Sequence, residues 1–180
     1  MDNILKQIKE LGATNAAAIN VCDIPFAPEL IEFCNQNSCG NFGKCWVCPP
    51  LVGEIDVLID KVKKYEKMLV FQVIYPLEDS FDFEGMMEAQ KEFRILTDKV
   101  ADLCKAEYPD MLMLSAGGCA ICNECTAPTG EPCRFPEKAR PAFHAVGIDV
   151  FKTVRRLGLP LNVLTDKEAP QNWYSAVFVE

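Results

Sequence analysis

Met68-Leu69-Val70-Phe71-Gln72-Val73-Ile74-Tyr75, ended by Pro76, is the stretch that decides the fold. It is rich in β-branched and aromatic side chains and fits a central strand. Before it, Ile55, Leu58, Ile59 and Val62 recur at the period of a surface helix. Asp56 and Asp60 come early and Lys61, Lys63 and Lys64 late, the order that a helix dipole favours. After it, Met86, Ala89, Phe93, Leu96, Val100 and Leu103 give a long helical pattern over Gly85 to Tyr108, which Pro109 ends. Met111 to Ala116 is a short apolar strand that delivers the chain to Gly117-Gly118.

Further out, Leu5, Ile8 and Leu11 predict a first helix stopped at Gly12, and Ala16 to Val21 a buried strand. Pro28 opens a short helical face that runs to Phe33. Asp149 is placed to cap a helix through Val150, Val154 and Leu157 that stops at Gly158. Leu161 to Leu164 and Ser175 to Val179 read as two short strands, close enough in sequence to pair antiparallel. The class expected is α/β or α+β: one domain over residues 1–180, with a mixed β-sheet packed against helices and cysteine-rich metal-binding loops.

The apolar fraction of 49% and the charged fraction of 24% are those of a folded globular protein. A net charge of −8 with scattered lysines and arginines lacks the basic footprint that phosphate backbones require, so nucleic acid is not an expected partner. The start Met1-Asp2-Asn3 leads straight into an amphipathic stretch rather than a signal peptide, and no apolar run approaches the ~18 residues of a membrane span. The expected location is the cytoplasm. Ten cysteines in a reducing compartment read as metal ligands or reactive thiols rather than disulfides.

Eight of the ten stand in two windows. In Gly117-Gly118-Cys119-Ala120-Ile121-Cys122-Asn123-Glu124-Cys125, thiols recur every three residues, and Pro132-Cys133-Arg134-Phe135-Pro136 follows after a turn-forming spacer. A loop wrapping a cube can offer thiolates to three corners in succession, with Cys133 either returning to the fourth or, as the last cysteine of such a run does in some ferredoxins, serving a different cluster. A zinc site more often takes two separated C-x2-C pairs. The first window is Cys34-x4-Cys39-x5-Cys45-x2-Cys48-Pro49-Pro50, whose irregular spacing serves a second [4Fe-4S] cluster or a zinc ion equally. In a third arrangement only Cys34, Cys39 and Cys48 bind, leaving one iron open to a substrate and Cys45 a bystander.

The pattern Cys-Gly-Asn-Phe-Gly-Lys-Cys-Trp-Val-Cys-Pro-Pro from Cys39 resembles a prokaryotic family of predicted metal-binding proteins, domain of unknown function 2284. So do the later Gly-Gly-Cys-x2-Cys-x2-Cys, Pro-Cys-Arg-Phe-Pro and Gly-Ile-Asp-Val. The resemblance runs from about Cys34 to Leu164. It implies Cys34, Cys39 and Cys48 as ligands in the first group and Cys119, Cys122, Cys125 and Cys133 in the second, whereas Cys45 departs from the family pattern. It implies a metal and specifies no reaction.

Cys22 and Cys104 lie in apolar or helical contexts that suit buried structural thiols. His144, the only histidine, follows the second window and reads as packed or solvated. Arg134, Arg140, Arg155 and Arg156 are candidates to offset cluster charge or to sit on helix surfaces, and Trp46 to shield a cluster or fill the core. Nucleophile-elbow, phosphate-loop, dinucleotide and H-E-x-x-H signatures are missing from the sequence, which removes the common hydrolase and nucleotide classes. The leading expectation is an iron-sulfur protein with one or two [4Fe-4S] clusters that transfers electrons to a redox partner protein. The alternatives are an enzyme with an open-site cluster and a zinc-stapled interaction module.

Overall fold

The computed structural model describes residues 1–161 and 170–179. Five helices, α1 (Asp2–Glu10), α2 (Ile31–Asn35), α3 (Ile55–Val62), α4 (Phe83–Glu107) and α5 (Val150–Arg156), accompany four strands. The strands are β1 (Asn15–Asn20), β2 (Lys67–Tyr75), β3 (Leu112–Leu114) and β4 (Gln171–Val179), arranged β1-β2-β4-β3. β2 is central, as its composition predicts: it pairs with β1 on one side and along its whole length with β4 on the other.

Side chains alternate across a strand, so β2 serves two cores at once. Leu69, Phe71 and Val73 face Ile4 and Ile8 of α1 and Phe93, Leu96 and Val100 of α4. Met68 and Val70 face Val62 of α3, Val154 of α5 and the turn residues Phe143, Val146 and Ile148. The rings of Phe71 and Phe93 lie 5.7 Å apart, and burying each such side chain stabilises the fold by about 1.5–3 kcal/mol.

The one polar residue of the β2 run, Gln72, is fully buried and fully partnered. Its Oε1 accepts from Asn15 Nδ2 (2.9 Å), and its Nε2 donates toward Pro160 O (2.7 Å), Asn172 Oδ1 (2.9 Å) and the Tyr174 hydroxyl (3.1 Å). A buried amide left unpaired would cost about 1–3 kcal/mol, and here that cost does not arise.

Of the two classes expected, α+β describes the chain. The alternation of strands and helices suggested a mixed sheet, but every pairing between these strands is antiparallel; among the described residues the one parallel contact is an isolated bridge between Ser115 and Ala142. The reason is that β4 returns from the far end of the sequence and inserts between β2 and β3. The strand expected from Leu161 falls mostly on residues 162–164, outside the described residues. Pro28 begins a 3-10 turn, Pro28–Leu30, that leads into α2, and Asp149 caps α5 by accepting from Lys152 N at 2.9 Å. Among the described residues, no helix is long and apolar enough to cross a membrane.

Candidate metal centre

The short strand β3 carries the chain to the edge of the sheet, where the second cysteine window departs as a closed excursion. Ser115 N donates to Pro141 O (2.9 Å) and Ser115 bridges Ala142, so the loop leaves and returns at one point. Gly117, at φ +69°, makes the exit turn in the left-handed region that glycine adopts without a Cβ penalty. Within the loop, Thr126 Oγ1 donates to Pro132 O (3.0 Å) and Arg134 Nη1 to Glu124 O (3.0 Å), which fold the Cys133 arm back over the triplet. From α4, Arg94 Nη1 reaches Ala120 O at 2.6 Å and fixes the loop to the helix.

The first window hangs from the end of α2, where Cys34 lies in the last turn. A series of tight turns follows: Asn37 N to Cys34 O (2.9 Å), Gly43 N to Pro49 O (2.9 Å) and Cys48 N to Cys45 O (3.0 Å). Asn37 Oδ1 accepts from Phe42 N at 3.0 Å.

The two windows dock on each other. Trp46 Nε1 is shared between Thr126 Oγ1 and Glu131 O, both at 3.2 Å. Gly118 lies so close to Asn41 that a Cβ there would meet Asn41 Nδ2 at 2.8 Å. The decisive residue is Cys45, the most buried thiol of the windows, at 4% exposure. Sequence spacing places it in the first group, yet it lines one small cavity with Cys119, Cys122, Cys125 and Cys133. Cys45 neighbours both Cys48 and Cys125 closely enough to shift the proton affinity of each, raising the first and lowering the second. Five thiols thus share a wall, and Cys45 joins them to Cys48, Cys39 and Cys34.

The electrostatics follow this arrangement. Desolvation pushes the Cys48 thiol up to about 12, with the neighbouring Cys45, Cys39 and Cys34 adding to it. Desolvation, with Cys39 beside it, also raises Cys34. Burial raises Cys119, partly offset by the Ile121 N–H, with Cys45, Cys125 and Cys133 pushing the same way as burial. Cys125 goes the other way. Desolvation pushes it up, but hydrogen bonds from the backbone N–H groups of Ala127, Trp46 and Thr126 and from the Cys45 thiol outweigh it, and the thiol lies below its ordinary value. Amide donors around one sulfur stabilise the thiolate, the form that binds metal.

The donor set tests which metals fit. The wall holds five thiols with Trp46, Val47, Ile121 and Phe135 around them, one cation in Arg134, and no carboxylate or imidazole. All-thiolate donors select zinc, copper(I) or iron-sulfur and disfavour hard cations such as magnesium and calcium. The space between the side chains is about 20 Å³, little more than one water-sized sphere. Among the described residues, no three histidine, cysteine, aspartate or glutamate side chains stand close enough about one point to hold an ion as they are. Loading any metal therefore moves thiols apart or inward.

Other candidates separate clearly. Cys104 lies on α4's own buried face in the core, its thiol raised to about 12 by desolvation and by Glu107. Cys22, expected to be buried, is exposed: the 3-10 turn Val21–Asp23 turns Val21 inward and Cys22 out. His144 lies exposed on the turn Phe143–Val146 and lines neither cysteine cavity. Arg140 pairs with Asp98 at 2.7 Å, and Arg156 donates to Asp23 O. Sequence reading missed Arg94 and Asp98, although Met87, Lys91, Arg94 and Asp98 recur at steps of four, three and four residues, a second stripe on α4 beside the apolar one.

No curated protein and no solved structure matches the chain. One family model does, over residues 17–179, a longer span than the motifs alone cover. The chain belongs to the family of that model, the predicted metal-binding proteins (DUF2284).

Proposed function

We propose that the chain is an iron-sulfur protein that transfers electrons to a redox partner protein, with Cys119, Cys122, Cys125 and Cys133 holding one [4Fe-4S] cluster and Cys34, Cys39, Cys45 and Cys48 a second. The observation that carries this reading is the convergence of five thiols on one wall without a carboxylate or imidazole, the wall's one hydroxyl, Thr126, being engaged with Pro132 O and Trp46 Nε1. When bound, such a cluster supplies one-electron redox chemistry at a potential set by charge, hydrogen bonds to sulfur and solvent exposure. This chain's residues act on each of those levers. The amides of Trp46, Thr126 and Ala127 lower the Cys125 thiol, Arg134 brings positive charge to the wall, and buried Val47 with half-buried Trp46 and Ile121 shields it. Cys45 stands where the two thiol groups meet, lining the cavity of the second and neighbouring Cys48 of the first.

A single zinc ion in the second group is the second reading, favoured by the small space between the thiols. The open-iron arrangement has less behind it, because Cys45, the thiol it leaves out, neighbours Cys48 and would be at hand as a fourth ligand.

Anaerobic purification followed by iron, zinc and sulfide analysis tests the proposal. The expected result is a brown protein with about eight irons and eight sulfides per chain, falling to about four of each in Cys122→Ala. Colourless protein with stoichiometric zinc and no sulfide refutes it in favour of the zinc-stapled module.

A further inference from the structure

A second cavity, of about 460 Å³, opens on the other side of Cys119 and lies within the roughly 300–1,000 Å³ range of small-molecule sites. Cys119 lines both cavities, so whatever occupies this one lies a single residue from the thiol group. Its two kinds of wall are distinct. One is apolar, built from Phe93 and Trp173, whose rings stand 5.9 Å apart, with Met87 and Ile121. The other carries Lys91, Arg94, Lys138 and Arg140 with one lining carboxylate, Asp98; Lys91 is also paired with Glu88 at 3.4 Å, so the excess rests on Arg94 and Lys138.

That charge concentration runs against a chain whose net charge is −8. Asp98 is already committed to Arg140 at 2.7 Å, and the Arg140 side chain is only 9% exposed, so the pair forms a fixed floor. Arg94 uses one of a guanidinium's five N–H donors on Ala120 O. Among the described residues, Lys138 has no ion-pair partner. An excess of cations facing a cavity beside an aromatic wall attracts a ligand that has a negative head and an apolar body.

We propose that this cavity binds a small amphipathic anion, with a carboxylate or phosphate monoester among Arg94, Lys138 and Arg140 and an apolar body against Phe93 and Trp173. The ligand's place beside Cys119 makes it a substrate or effector of the metal centre, and that part rests on the iron-sulfur reading; the binding does not. The competing explanation of the cations, that they only offset the charge of the thiol group, predicts no ligand.

The test is titration of the purified full-length protein with 4-fluorophenyl phosphate, followed by fluorine NMR, with 4-fluorobenzyl alcohol as the neutral counterpart. Iron is assayed on the same sample. Saturable one-to-one binding is expected, at least about tenfold weaker for the alcohol and about tenfold weaker for the phosphate in Lys138→Glu. Lys6→Glu makes the same charge change on α1, away from this cavity, and leaves affinity within about twofold. Lys138 is exposed, so its replacement leaves the fold intact, which circular dichroism verifies. The proposal is overturned if the phosphate fails to saturate at millimolar concentration, if the alcohol binds equally well, or if Lys6→Glu and Lys138→Glu weaken binding alike. Saturable binding by iron-free protein supports the site and refutes the iron-sulfur reading alone.

Discussion

Replacing Gly147 by alanine is expected to destabilise the protein by about 2–4 kcal/mol, and the size follows from two separate costs. Gly147 sits at φ +71° and ψ +24°, where an L side chain costs about 1–2 kcal/mol. A Cβ there would also meet Ile59 Cδ1 at 2.8 Å, Ile59 Cγ1 at 3.0 Å and Ile55 Cδ1 at 3.3 Å, so α3 must give way. Overpacking of this kind costs about 1–3 kcal/mol, while stiffening of the unfolded chain returns about 0.4–1 kcal/mol. For a chain of this size, each kcal/mol lowers Tm by about 2–4 °C, so a thermal unfolding scan should show a drop of about 5–15 °C. Ile59→Val alone should cost about 0.5–1.5 kcal/mol. Because it removes Cδ1, the closest contact, the double variant should be more stable than the sum of the single losses by about 1 kcal/mol. Additive losses, or a drop in Tm below about 2 °C for Gly147→Ala, would refute the reasoning.

Cys45→Ala tests the sharing of thiols between the windows: iron should fall from about eight to about four per chain, whereas a bystander thiol leaves it unchanged by metal analysis. Trp46→Phe removes the shared N–H bond to Thr126 and Glu131, and should lower Tm by about 1–6 °C for a loss of about 0.5–1.5 kcal/mol while iron content stays the same. In alkylation followed by mass spectrometry, Cys22 should react promptly in the native protein and Cys104 should not. Cys104 also has a pH signature: with its thiol raised to about 12 in the fold, the unfolded chain releases that proton first, so stability is full below about pH 9 and is lost as pH rises toward 12. Melting curves from pH 8 to 11 should therefore fall less steeply for Cys104→Ala than for the parent, relative to each protein's own value at pH 8.

The elements were legible where a local pattern settles them. β2 announces itself by composition, α4 by its apolar period up to Pro109, and the α5 cap by Asp149. The pairing of β4 between β2 and β3 was not legible, since it depends on which strand edge remains free when the C-terminal segment arrives. Within the site, the triplet Cys119, Cys122 and Cys125 is a local signal, and so is its return at Cys133. The membership of Cys45 is not: its sequence neighbour is Cys48, and only the docking of Trp46 on Thr126 turns it toward Cys125. Cys22 shows the converse error, an apolar neighbourhood in sequence whose 3-10 turn keeps Val21 inside and turns Cys22 and Asp23 outward. Arg94 was overlooked because a helix-surface arginine carries no mark of its own until a neighbouring loop comes within reach.

The clasp between Ser115 and Ala142 bears on how such a protein is made in the cell. The two cores close on β2 and β4 without a cysteine from either window, so the sheet needs no metal to assemble. A zinc finger, by contrast, stays unfolded until its ion arrives. Here the cores stand apart from residues 116–141, which leave and return at one point, so metal is expected to enter a fold that is already complete. Folding and metal loading are then separable, and protein stripped of metal is expected to keep the far-UV circular dichroism of the sheet and helices.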